Sequence, residues 1–158
     1  MSYQIFPEDL NFILEFLKQE IKKMSIPKKD SREKTAGIGR TCIFGLTKHR
    51  RVSGLEISKF TLKYPVVWKL LSVVGDILDF NFTSIMVNKD FQTKEHIDKN
   101  KPDTLNLIYG FGDYEGGELI YEGKEYDIKE KFLIFNGRIP HSTKPFTGNR
   151  YSVTFFSK

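Results

Sequence analysis

The sequence predicts an α+β chain in which helices come first and a run of short antiparallel strands follows. Three observations carry this reading. Apolar residues recur every three or four positions over residues 7–24 and again over 65–74. After Gly75 the period changes to two, with Phe80, Phe82, Ser84 and Met86 alternating against Asn81, Thr83, Ile85 and Val87. From there on, strand-length segments are separated by glycine-rich or Asn-Gly turns. Helices that precede the strands, rather than alternating with them, argue for an antiparallel sandwich or barrel.

The first helix carries Leu10, Ile13, Leu14, Leu17, Ile21 and Met24 as one apolar stripe, and Pro7 suits its first turn. Residues 25–41 lack apolar periodicity and contain Pro27, Gly37 and Gly39, so they predict a basic loop bearing Lys28, Lys29, Arg32, Lys34 and Arg40. A shorter helix over 65–74 places Val67, Leu70, Leu71 and Val74 on one face and ends at Gly75. Strands are predicted at 80–87, 104–109, 118–121, 125–128, 132–135 and 150–156. Gly110-Phe111-Gly112 before Gly116-Gly117 has no helical pattern after it, so it reads as a hairpin turn and not as a phosphate-binding loop.

A length of 158 residues suits one domain, with a helical and basic part over 1–79 and a β core over 80–158. The 14 Phe and 7 Tyr exclude a disordered chain. No apolar run approaches the roughly 18 residues of a membrane span. Pro7-Glu8-Asp9 is acidic where an export signal is basic, and Cys42, the one cysteine, fits a reducing compartment. The expectation is a soluble intracellular monomer, in cytoplasm or nucleus. The net charge of +5 is uneven: residues 1–63 hold 13 basic against 7 acidic side chains, and 64–158 hold 12 against 13. A solvated face would account for this excess, and so would a surface that grips phosphates.

Of the three histidines, His49 lies in a basic run and reads as surface. His96-Ile97-Asp98 puts an imidazole and a carboxylate two residues apart, on one face of an extended segment. His141, after Asn136-Gly137 and Pro140, supplies a third ligand from a neighbouring strand. Two histidines and one carboxylate form a facial triad with open positions, which suits non-haem Fe(II) and O2 chemistry. Arg150 and Ser152 share one face of the last strand. A guanidinium fork beside a hydroxyl receives a carboxylate, so a dicarboxylic 2-oxo acid can chelate the metal and reach Arg150 with its far end. The bland alternative pairs Arg150 with a structural acid.

His-x-Asp, a distal His and Arg-x-Ser together resemble the 2-oxoglutarate/Fe(II)-dependent dioxygenase superfamily. Asn88-Lys89-Asp90-Phe91, His96-Ile97-Asp98-Lys99-Asn100, Gly112-Asp113-Tyr114-Glu115-Gly116-Gly117-Glu118-Leu119 and Phe135-Asn136-Gly137 are similar to its nucleic-acid-base oxygenases. Those are the ten-eleven-translocation and base-J hydroxylase group, with small viral, phage, algal and fungal relatives. The resemblance implies a double-stranded β-helix (jelly-roll) core with the N-terminal helices packed on one sheet. It implies Fe(II) on His96, Asp98 and His141, and 2-oxoglutarate on Arg150 with Ser152 and Asn88. It also implies that Asn100 lies on the substrate side. The expected reaction oxidises the methyl group of a 5-methylpyrimidine in DNA, 5-methylcytosine or thymine, with O2 and 2-oxoglutarate, while Lys28, Lys29, Arg32 and Lys34 grip phosphates. Two other readings stand beside it. A prolyl-type protein hydroxylase of the same superfamily usually anchors 2-oxoglutarate with Lys and has no need of a basic N-terminal third. A non-catalytic jelly-roll binding module would turn over no co-substrate.

Overall fold

The computed structural model describes residues 7–29, 37–49, 51 and 53–158. In chain order its elements are α1 (Pro7–Lys22), β1 (Ile38–Lys48), β2 (Leu55–Ile57), α2 (Lys59–Lys63) and α3 (Pro65–Ile77). Then come β3 (Ser84–Gln92), β4 (Asn106–Gly116), β5 (Leu119–Tyr121), β6 (Lys124–Tyr126), β7 (Phe132–Phe135), β8 (His141–Thr143) and β9 (Phe146–Phe156). They form a six-stranded sheet in the order β2-β1-β3-β9-β4-β7 and a three-stranded sheet in the order β6-β5-β8. Every strand pair in both sheets is antiparallel.

Side-chain alternation gives the large sheet two different faces. Cys42 and Phe44 of β1, Ile85 and Val87 of β3, Leu107, Tyr109 and Phe111 of β4, and Tyr151, Val153 and Phe155 of β9 point to one side. There they pack with Leu14, Leu17 and Ile21 of α1 and Val67, Leu71 and Val74 of α3. The opposite face contributes Ile108 to a smaller cluster with Leu119, Ile128 and Phe135. By the same alternation, Asn88, Arg150 and Ser152 lie on this second side. The helices thus cover one face of the sheet, and the small sheet closes over the other. A buried lysine with two exposed acids ties α1 to the sheet: Lys18 Nζ lies 2.7 Å from Glu15 Oε1 and 2.8 Å from Glu130 Oε1, just ahead of β7.

Three differences from the sequence reading have a common cause in glycine. The segment read as a basic loop instead leads into an eleven-residue strand: β1 begins at Ile38, and Lys28 bridges Arg40. Gly39 does not end this strand but permits its bulge, for the register slips between Ile38 and Arg40 and a Cβ on Gly39 would lie 2.4 Å from Phe91 Cα. Likewise Gly110-Phe111-Gly112 is not a hairpin turn. It lies inside β4, where a Cβ on Gly110 would meet the Tyr114 hydroxyl at 2.9 Å. The chain turns instead at Gly116 and Gly117, both at positive φ. In consequence β1 and β2, which precede residue 80, are integral to the large sheet rather than outside the β core. The remaining shifts are of boundary. α1 ends two residues before Met24, β3 starts at Ser84 rather than Phe80, and β9 starts at Phe146 rather than Arg150.

Leu71 is fully buried between α3 and the sheet. Leu71→Ala is expected to cost about 2–5 kcal/mol of stability, the range for a leucine cavity. Urea unfolding will measure it. Because the affected core lies on the helix side of the sheet, metal affinity measured on the folded variant should stay within about twofold of the parent.

Candidate metal centre

The centre is built by backbone pairing. After β3 the chain leaves the large sheet and runs antiparallel beside β8. Thr143 N donates to Thr93 O (3.2 Å), and His96 and His141 exchange both of their backbone hydrogen bonds (3.0 Å each). Asp98 N then donates to Gly137 O at 2.8 Å. This extra strand sets His96 directly opposite His141, and the two-residue period brings Asp98 to the same face. One ligand atom from each of the three side chains lies within 4.8 Å of the other two. His96 Nε2 is 3.3 Å from Asp98 Oδ1 and His141 Nε2 is 3.5 Å from Asp98 Oδ2.

Each imidazole is oriented by a carbonyl two residues earlier in the chain. His96 Nδ1 lies 2.6 Å from Lys94 O, and His141 Nδ1 lies 2.8 Å from Ile139 O. A carbonyl can only accept, so Nδ1 carries a proton in both rings and Nε2 is the nitrogen turned to the centre, a donor to Asp98 when protonated and a metal ligand when not. The Phe135 ring packs edge-on against His141, centroids 5.1 Å apart. Burial alone would raise the Asp98 carboxyl, but its hydrogen bonds to His141 and His96 outweigh that and hold it well below the usual carboxylate range. In turn the Asp98 hydrogen bond raises the His96 imidazole above its ordinary value. Asp98 Oδ2 also accepts from Asn106 Nδ2 at 3.0 Å.

Arg150 occupies the same inter-sheet space. It is 2% exposed, and its Nε and Nη2 donate to Gly117 O at 3.2 and 3.0 Å. The rings of Tyr114 and Phe146 each lie 5.7 Å from its Cζ. A Cβ at Gly117 would meet Arg150 Nε at 2.7 Å, which explains glycine there. The acid nearest in register, Asp90, accepts from the Arg150 backbone amide (2.7 Å) and not from the guanidinium. No carboxylate among the described residues forms a salt bridge with this guanidinium. Beside it, the Tyr114 hydroxyl and Glu118 Oε2 are buried without a hydrogen-bond partner. Gly117 leads directly into β5, whose Tyr121 pairs with His141.

Ser152 and Asn88 fall in one row across the sheet, Thr41–Asn88–Ser152–Gly110, and Asn88 Oδ1 accepts from Thr41 Oγ1 at 2.6 Å. The Asn100 side chain donates to Asn106 Oδ1 at 2.9 Å. Lys29 Nζ lies 5.7 Å over the Phe91 ring, and its charge acts to lower the His96 imidazole. Lys28 is exposed beside Arg40. Arg32 and Lys34 lie outside the described residues. His49 is a surface residue as read, 3.5 Å from Glu56. Sequence reasoning missed Asn106, Gly137 and Tyr114. Asn106 had a signal, a lone amide inside the apolar strand Leu105-Asn106-Leu107-Ile108.

The donors fit an open divalent site, since two neutral imidazoles and one carboxylate on one face suit iron of the non-haem type. Arg150 fits a carboxylate, because a buried guanidinium that no described acid salt-bridges is stabilised by an anion that reaches its fork. No protein-family model matches the chain, and no curated protein matches its sequence. Solved structures do resemble it in fold. A prolyl-4-hydroxylase from Pseudomonas putida superposes with a TM-score of 0.52 at 15% identity, covering 97% of this chain and 89% of that one. The structure of OsALKBH1 superposes with a TM-score of 0.58 at 12% identity, covering 97% and 93%. The fold is the jelly-roll, a double-stranded β-helix with helices on one sheet.

Two outcomes are expected for the metal. His141→Ala should abolish tight Co(II) binding, read by titration calorimetry. In the parent, a proton on His96 competes with the ion, and the raised imidazole extends that competition above about 6.5, the ordinary histidine value. Co(II) affinity should therefore fall as pH drops through that region. Metal-free stability should show the opposite slope, because the His96–Asp98 pair is complete at low pH and is lost as pH rises through the raised value.

Proposed function

We propose that the protein is a 2-oxoglutarate- and Fe(II)-dependent dioxygenase that oxidises the methyl group of a 5-methylpyrimidine base in DNA. The observation that carries the enzymatic reading is Arg150, a buried cation that no described carboxylate salt-bridges, on the same inner side of the large sheet as three metal-type donors. His96, Asp98 and His141 would hold the iron. Arg150 would grip the distal carboxylate of 2-oxoglutarate through its fork, with Ser152 and Asn88 alongside in the same face of the sheet and the Tyr114 hydroxyl free to donate. When bound, iron, 2-oxoglutarate and O2 supply oxidative decarboxylation to succinate and carbon dioxide, with hydroxylation of a C–H bond. The chain's own contribution is placement. β8 and the 93–98 segment hold the ligands, Phe135 shields His141 from water, and Gly117 O and two aromatic rings fix the guanidinium.

Substrate class is supported by motif resemblance and by charge. Lys29 is close enough to His96 for its charge to act on the imidazole, which puts one basic residue of this segment near the centre. A polyanion gripped there would present a base to the cavity, and a base in a duplex would first be flipped out. No described helix is long and apolar enough to cross a membrane.

Arg150→Lys keeps the charge but loses the fork, so the 2-oxoglutarate requirement should rise at least several-fold, as expected from losing a charge-assisted bond of roughly 1.5–3 kcal/mol. Uncoupled succinate release against 2-oxoglutarate concentration will measure it. For the substrate, methylated DNA, unmethylated DNA and a proline-containing peptide are compared by succinate yield and product mass. Methylated DNA should stimulate turnover and yield an oxidised methyl group. Its binding should weaken with salt at a log–log slope of about -0.9 per phosphate neutralised. Neutralising Lys28, Lys29, Arg32 and Lys34 together should flatten that slope. Stimulation by the peptide alone would move the prolyl-hydroxylase reading ahead.

A further inference from the structure

We propose that Asn106 is a positioning residue for the metal centre, holding Asp98 Oδ2 so that Oδ1 is the oxygen offered to the ion. The inference rests on reading His96, Asp98 and His141 as metal ligands, and it assigns a role to a strand residue outside that set.

Asn106 is 1% exposed at the start of β4. A buried amide is costly unless its polar atoms are bonded, and here both ends are. Nδ2 donates to Asp98 Oδ2 at 3.0 Å, and Oδ1 accepts from Asn100 Nδ2 at 2.9 Å. Chemistry fixes the direction of this chain. An ionised Asp98 can only accept, so the amide nitrogen of Asn106 must face it and the amide oxygen must face away. Only a donor satisfies that oxygen, and Asn100 supplies one. Asn100 is itself held, since its backbone carbonyl accepts from Arg138 Nη1 at 2.8 Å.

Gly137 seals the arrangement. Its carbonyl accepts from Asp98 N, and a Cβ there would lie 2.6 Å from both Asn106 Nδ2 and Asp98 Oδ2. Any side chain at 137 would wedge between the amide and the carboxylate. The consequence is a matter of counting positions. A carboxylate free to turn can bind through both oxygens and take two positions on a roughly octahedral ion. With one lone pair of Oδ2 taken by the Asn106 amide, Asp98 would favour binding through Oδ1 alone, which would leave three positions open rather than two.

The test uses the full chain without iron and Co(II) as the probe, with affinity from calorimetry, coordination from the visible d–d bands, and melting of the metal-free protein as the control. Asn106→Leu removes the donor, and Asn106→Asp keeps the shape but cannot donate when ionised. Both should weaken Co(II) binding about 10–100-fold, the usual cost of losing a residue that orients a ligand, and both should alter the band intensities. Gly137→Ala should do the same while leaving Asn106 in place. Should the Asn106 variants melt too low to use, Asn100→Ala removes only the outer bond, and a several-fold loss of affinity with altered bands is then the supporting result. Unchanged affinity and unchanged bands in variants that fold would overturn the proposal, whatever happens to melting. If the parent itself binds no Co(II), the metal reading fails, and this inference fails with it.

Discussion

The structure turns on one backbone pairing, the reciprocal hydrogen bonds between His96 and His141. Without it, the 93–98 segment would be a connection between β3 and β4 with no fixed relation to β8. With it, two residues 45 positions apart in sequence become direct cross-strand neighbours, with ring centroids 4.4 Å apart. Asp98 follows by the strand period, and Gly137 O receives its amide. The three donors are therefore placed by backbone hydrogen bonds rather than by a metal, and the preference of each imidazole for Nε2 is set by a carbonyl from its own strand. Such a centre is organised before any ion arrives, which lowers the ordering cost of binding.

That pairing has somewhere to sit because the large sheet is two-sided. Tyr151, Val153 and Phe155 give one face to the helices, and Arg150 and Ser152 give the other to the small sheet. Helix packing supplies most of the apolar burial, so the inner face can tolerate polar groups that a core would reject. Arg150, Asn88, Asn106 and Ser152 are all buried there. A guanidinium at 2% exposure is costly when no carboxylate salt-bridges it, and the Glu118 charge nearby offsets that cost only in part. The cost of keeping it is carried by the hydrophobic layer on the far side of the same strands.

How much of this was legible follows from which signals are local. Both long helices were readable because their stripes are continuous, and β5 to β7 because turns bracket them. The metal donors were readable because His-x-Asp fixes a shared face within three residues, and Arg150 with Ser152 because β9 has an unbroken period of two. β1 was not readable. Its Gly39 and Gly45 look like punctuation, yet they serve a bulge and a close approach to Thr83 O that only the paired strand reveals. The same holds at Gly110, where the requirement for a small residue comes from the Tyr114 hydroxyl further along β4 and from Ile128 on another segment. Nor does the pattern around Asn100 reveal its bond to Asn106, which is six residues away and buried. Glycines and amides answer to tertiary neighbours, and periodicity does not see those.

The distribution of charge joins the fold to the proposed chemistry. Asp98 is pinned in its ionised form by two imidazoles, while Arg150 is held in place by the Gly117 carbonyl and two aromatic rings, against a burial that opposes its charge. One end of the inter-sheet space is thus built to hold a cation and the other to hold an anion. A ligand with a metal-chelating head and a distant carboxylate answers both requirements at once, which neither a simple anion nor a metal alone would do. The buried Tyr114 hydroxyl, with no partner of its own, lies at the anionic end, where it can donate to such a carboxylate. At the rim the sign is positive again, from Lys29. Under the proposed oxidation, Lys29 would face the phosphates of a nucleic-acid substrate while the small anion sits within, and the two would meet at the metal.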